Sequence, residues 1–179
     1  MAGIQSNNYE AVADWAISQY WFLSNENHRL ITINALRNIL FDLKPIYSGY
    51  TSREAIDRGY KKSQMTVEHY HSRQRMATMI VGLVQNSAAY DEVLASIKEA
   101  CMVHYTTKEE NLALIPYQKQ AGYIWEEAYA AVGIELVEYD PTVKDYQYDG
   151  QIYQAKSRAE LARRLGLSTY KASKLIDEV

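Results

Sequence analysis

The sequence predicts an α+β fold, mostly α, and three observations carry that reading. Apolar residues recur at helical spacing through much of the first 132 residues. The dipeptide Asp149-Gly150, set among tyrosines and Ile152, marks a two-residue β-hairpin. Behind it, Ser157 with Glu160 three residues on, and then Gly166, punctuate two short helices. The implied organisation is a helical main domain of residues 1–140, followed over residues 141–179 by a linker, a small hairpin and a helix-turn-helix.

Taken in order, residues 9–23 place Val12, Trp15, Ala16, Gln19 and Phe22 or Leu23 on one helical face, and SNEN breaks the pattern. A second helix over 29–43 turns Leu30, Ile33, Leu36, Ile39 and Leu40 inward until Pro45 stops it. After a YSGY turn, Ser52 caps a segment made basic by Arg53, Arg58, Lys61 and Lys62. MATMIVGLV and AAYDEVLASIKEACMV read as helices, the second with Val93, Leu94, Ile97 and Ala100 or Cys101 inward. TTKEENLALIPYQ is short and mixed. Residues 121–132 return to helix and end at Gly133, IELVEYD alternates like a strand, and DPTVKDY, with Pro141, reads as the linker.

With 47% hydrophobic and 23% charged residues, the 179-residue chain is expected to bury a core rather than stay disordered. No window approaches eighteen apolar residues, and the N-terminus lacks the basic start and apolar run of a secretory leader. The expectation is a cytoplasmic protein with no membrane partner. The single Cys101 cannot form an internal disulfide, which fits a reducing compartment. The net charge of −3 argues against coating nucleic acid by bulk attraction. Its distribution points elsewhere: Lys156, Arg158, Arg163, Arg164, Lys171 and Lys174 face only Glu160 across residues 156–174, a patch suited to phosphates.

In that patch the first helix starts at Arg158 and turns Leu161, Ala162 and Leu165 inward. Gly166 supplies the positive φ of the bend and Leu167 plugs it. Ser168 caps a second helix with Ala172, Leu175 and Ile176 inside. Its outward residues are Ser168, Thr169, Tyr170, Lys171, Ser173 and Lys174, which hydrogen-bond bases or phosphates if the helix lies in a major groove. The plainer alternative is a helical hairpin packed on the main domain with solvated lysines; the basic, glutamate-poor outer face favours double-stranded DNA. One such helix covers few base pairs. Either the segment 53–75 adds contacts, or a homodimer binds a two-fold site.

The phrase YDGQIYQAKSRAELARRLGLSTYKASKLI resembles the helix-turn-helix module of the nuclease-associated modular family, appended to phage homing endonucleases of the HNH type. The likeness covers roughly the last thirty residues and implies contact with duplex DNA. It also implies a degenerate ββα element elsewhere, and TVEHYHSRQR, residues 66–75, is similar to its first part. In such nucleases an acidic or histidine metal ligand precedes the histidine that deprotonates water, and a downstream asparagine orients that histidine. The resemblance thus implies Glu68 as metal ligand, His69 as catalytic base and Asn111, within ENLALIPYQK, as its orienter. Mg2+ or another divalent cation would be the cofactor, with Arg73 or Arg75 on the phosphate.

Two departures stand out. Roughly forty residues separate His69 from Asn111, so a helical insertion is required, and Gln118, Lys119 and Gln120 stand where the second ligand belongs. A purely helical reading competes: a helix from Ser63 with Met65, Tyr70, Met76, Ala77, Ile80 and Val84 inside, and His69 one turn from Arg73 on a polar face. Strands at 64–69 and 102–106 favour the first; helix through His69 favours the second. His28 and His104, lacking clustered partners, are expected to be structural, and the sixteen tyrosines to serve packing. The functional expectation is a sequence-specific double-stranded DNA-binding protein related to phage homing endonucleases, acting as a repressor derived from one. An active metal-dependent DNA endonuclease, or a protein-interaction module without DNA binding, are the alternatives.

Overall fold

Asn8 opens the first helix: its side chain accepts the Ala11 amide, and α1 (Tyr9–Ser18) follows in the computed structural model, which describes residues 8–120, 122–140 and 142–178. The single helix expected over 9–23 breaks at Ser18 into a short 3-10 turn, Tyr20–Phe22. That turn sends Leu23 inward and leaves Phe22 half exposed. Asn25 then caps α2 (Glu26–Asp42) by accepting the Asn27 and His28 amides. Ile33, Leu36 and Leu40 are buried as the periodicity demands, whereas Leu30 is 47% exposed. Thr32 takes the buried place on that turn, its hydroxyl donating to the His28 carbonyl. These helices pack with α4 (Arg73–Gln85) and α5 (Tyr90–Ala100) around Leu36, Ile80, Ile97 and Cys101.

Beside this bundle stands a sheet that local signals concealed. Its strands are β1 (Ile46–Ser52), β2 (Thr66–Glu68), β3 (Met102–Thr106) and β4 (Leu136–Glu138), in the order β2-β3-β1-β4. β1 runs parallel to β3 and antiparallel to β4, and β2 is antiparallel to β3. The expected YSGY turn is therefore an interior strand. Gly49, at φ +93°, lets that strand bulge, and the β1/β3 register shifts between Tyr47 and Thr51. Ser52 caps α3 (Arg53–Asp57), as expected.

The helix read through CMV ends at Ala100, and Val103, His104 and Tyr105 on the interior strand β3 are buried, so both faces of the sheet are covered there. The mixed segment after it is helical: Thr107 and Glu110 form a reciprocal capping box at the head of α6 (Lys108–Gln118). α7 (Trp125–Val132) ends at Gly133 with φ +83°. TVEHYHSRQR is a strand, a turn and a helix start. The continuous helix from Ser63 is overturned, because Thr66, Val67 and Glu68 pair with Thr106, Tyr105 and His104.

The C-terminal unit follows its local signals closely. β5 (Lys144–Tyr148) and β6 (Gln151–Ala155) form the hairpin, with Asp149 at φ 50° and Gly150 at φ 75°. α8 (Arg158–Arg164) and α9 (Thr169–Leu175) flank Gly166 at φ 66°. Ser157 accepts the Glu160 amide, while the Glu160 carboxylate takes the Lys156 amide rather than that of Ser157. One inward assignment fails: Leu175 is 50% exposed and Ile176 is fully buried. The chain leaves α9 at Ile176 to add β7 (Asp177–Glu178) to β5, which draws Ile176 into the cluster of Tyr146, Leu161, Ala162 and Ala172. The expected linker contracts to a turn in which Thr142 donates to Asp140. Pro141, Ala121 at the expected start of α7, and residues 1–7 lie outside the described residues. The fold is α+β and predominantly helical. No helix among the described residues is long and apolar enough to cross a membrane.

Candidate functional site

Strand alternation decides what Glu68 does. On β2, Val67 points outward and is 42% exposed, so Glu68 points inward and is 4% exposed. A buried carboxyl needs a donor, and the Gln118 side-chain amide at the end of α6 supplies it to Oε1. Burial pushes the Glu68 pKa up to about 7, against the lowering effects of the Gln118 hydrogen bond and the Arg73 charge.

Past the strand end, His69 meets the first residue of α4. The Arg73 Nη2 lies 3.1 Å from His69 Nε2 and 3.3 Å from Nδ1. Because a guanidinium can only donate, one ring nitrogen of a neutral imidazole accepts there while the other carries the ring proton. Its pKa is pushed down to about 4, first by burial and then by the Arg73 charge. Arg73 in turn lies over the Phe41 ring at 4.5 Å, and its buried Nε has no partner among the described residues. Glu68, His69, His71, Ser72, Arg73 and Gln118 line a polar cavity of about 360 Å3. Beneath it His104 is buried, stacked on Tyr70 at 4.4 Å, with Nδ1 3.3 Å from the Tyr129 hydroxyl. His104 is thus part of an aromatic core and outside the cavity.

The expected site residues are brought together only in part. Glu68, His69 and Arg73 share the cavity, with Gln118 as fourth member. Asn111 sits on the first turn of α6, about 10 Å along the axis from Gln118, and does not line the cavity. Arg75 does not line the cavity either; its Nη1 donates to the Tyr123 carbonyl.

A divalent cation does not fit this donor set. One candidate ligand, the Glu68 carboxyl, already accepts from the Gln118 amide; the other is an imidazole beside the fixed positive charge of Arg73. Among the described residues no three His, Cys, Asp or Glu side chains are grouped to hold a metal ion. As a base, His69 is weak, since an imidazole already accepting from a guanidinium, with so low a pKa, draws a proton from water poorly. The arrangement instead holds Arg73 rigidly at the cavity wall. Exchanging Arg73 for methionine is expected to raise the His69 pKa, because one of its two causes disappears while burial remains. Proton NMR titration of the His69 ring checks this, and an unmoved midpoint would refute it.

The C-terminal patch is organised differently. Buried Ala172 and Ile176 set the inner side of α9, and Tyr170 and Lys174 lie opposite, with Lys174 over the Tyr170 ring at 4.6 Å. Ser168, Lys171 and Ser173 are exposed as well, while the side chain of Thr169 lies outside the described ones. Arg158 is only partly exposed, and its Nε is buried without a partner among the described residues. Two of the patch's cations are engaged: Arg164 donates to the Gln154 carbonyl, and Lys156 pairs with Asp140 at 2.8 Å. Sequence reasoning missed Phe41 as the platform under Arg73, since thirty-two positions separate the two and no local pattern links them. Compared with known proteins, the chain matches no family model, no curated protein and no solved structure.

Proposed function

We propose that the chain is a sequence-specific double-stranded DNA-binding protein, related to phage homing endonucleases and acting as a repressor rather than a nuclease. Its α8 and α9 serve as a helix-turn-helix, with α9 entering the major groove. The observation that carries this is the outer row of α9: Tyr170, Lys171, Ser173 and Lys174 are all exposed, and neither lysine has a carboxylate partner among the described residues. A hairpin docked as an ordinary packing element would spend that face on the rest of the molecule. The likeness of the last thirty or so residues to the nuclease-associated modular family supports the same reading. The poor fit of Glu68 and His69 to a metal favours binding over cleavage.

The test is selection of bound fragments from a genomic library, with and without magnesium, followed by mobility shift on the recovered duplex. The expected result is a discrete recovered sequence that is shifted and left uncut in either condition. Tyr170→Ala with Lys174→Ala should then lower discrimination against a scrambled duplex by about 1–3 kcal/mol. Recovery of random sequence would remove the claim of specificity; metal-dependent cutting would restore the nuclease reading.

A further inference from the structure

We infer that the groove between residues 56–63 and the β5/β7 edge carries the phosphate backbone of the duplex that α9 reads, through Lys61 and Lys62. The inference rests on the proposed role of α9. Tyr60, Lys61, Lys62 and Ser63 form one wall of a cleft of about 800 Å3, and Lys144 and Glu178 stand on the other.

The basic segment 53–75 has far fewer available cations than its composition suggests. Arg53 is held by Glu135 at 2.8 Å, and Arg58 by Glu54 at 2.7 Å and Glu109 at 3.5 Å. Arg73 is committed to His69 and Phe41, and Arg75 to the Tyr123 carbonyl. Lys61 and Lys62 are exposed and have no carboxylate partner among the described residues; Lys62 lies over the Tyr105 ring at 5.5 Å. The acidic member of the opposite wall, Glu178, is offset by Lys144 at 2.6 Å. The cleft therefore presents two uncompensated cations.

Its position relative to α9 selects the occupant. Glu178 lies three residues beyond Leu175, the last residue of α9, so at most about 10 Å of chain separates the cleft from that helix. A helix seated in a major groove about 12 Å wide has a phosphate strand at that distance on either side. The Tyr60 hydroxyl is occupied, accepting from Arg58 Nη1 at 3.2 Å. Because α9 is proposed to read a duplex, duplex backbone is the occupant that the cleft beside it would meet, and a single strand is the alternative that the experiment tests.

The experiment titrates the full chain with a labelled random duplex of about 30 base pairs between about 50 and 200 mM salt. Lys61→Gln with Lys62→Gln should make the slope of log affinity against log salt shallower by about 1.8, roughly 0.9 for each phosphate that is no longer neutralised. Affinity should fall by the same factor on random and selected duplexes, whereas Tyr170→Ala with Lys174→Ala should alter their ratio. An unchanged slope in the lysine variant, with the parent still binding duplex, overturns the cleft and leaves α9 standing. Absence of duplex binding by the parent at every salt overturns both. Preference of the parent for a single strand of the same length, lost in the lysine variant, also overturns the inference. Both lysines are exposed, and matching thermal melts confirm that the variant folds.

Discussion

Leu161→Ala should unfold the C-terminal unit while the rest of the chain stays folded. Leu161 is fully buried in a cluster whose other members are Tyr146, Ala155, Ala162, Ala172 and Ile176, so three of the six are alanines with little side chain to bury. Truncating a buried leucine costs about 2–5 kcal/mol, which approaches what a unit this small can hold. That cluster shares no residue with the one around Leu36 and Ile97 or with the one around Leu114 and Tyr129. Hydrogen exchange followed by mass spectrometry should therefore show lost protection over residues 144–178 and retained protection over 73–100. The proposed duplex binding should vanish with it. Uniform loss of protection along the chain would show that the unit does not fold separately.

Glu68→Gln is expected to stabilise the protein at pH 8 by about 2–3 kcal/mol and to leave it nearly unchanged at pH 4.5. The sign follows from the direction of the shift. The folded Glu68 carboxyl holds its proton up to about pH 7, against an ordinary value of 4.5, so its contribution is complete below 4.5 and is lost as pH rises through 7. Glutamine is neutral at every pH, has nearly the same shape, and offers the same carbonyl-type oxygen to the Gln118 amide. His69 and His104 act in the opposite sense. His104 is buried and His69 partly so, with pKa values pushed down to about 4, so their contribution is complete above pH 6.5 and is lost as pH falls through 4. The parent should then gain stability between pH 4 and 6.5, with Glu68 opposing the two histidines. In the variant that gain should be steeper. Urea unfolding at pH 4.5, 6.5 and 8 measures both effects, and an identical Gln-minus-Glu difference at all three would defeat the argument.

The contrast between the two ends of the molecule has a physical origin. Residues 144–176 follow rules that act within a few positions: a positive φ at Asp149 and Gly150, a Ser157 cap three residues from Glu160, a bend at Gly166. These are legible because each signal and its structural consequence lie in the same turn. The helix faces around Leu36, Ile80 and Ile97 are legible for a similar reason, since the period of 3.6 residues needs no knowledge of the partner. Even so, Leu175 departs from its expected inward place. Its neighbour Ile176 is drawn inward by a strand that pairs with residues thirty positions earlier.

The sheet is hidden from local reading. β1 looks like a turn because Gly49 and Ser48 are turn residues, and β2 is three residues long inside a segment that also satisfies helical spacing. Only pairing with β3, thirty-six or more residues away from β2, decides between strand and helix there. The same non-local pairing decides the site. The sequence by itself determined that Glu68, His69 and Arg73 are close in the chain, and that the last two helices carry a basic outer face. The tertiary structure decided that Glu68 turns inward onto Gln118, that Arg73 donates to the His69 ring, and that Asn111 stands apart. Burial and partner charge are properties of what packs around a residue, and residues distant in the chain supply both.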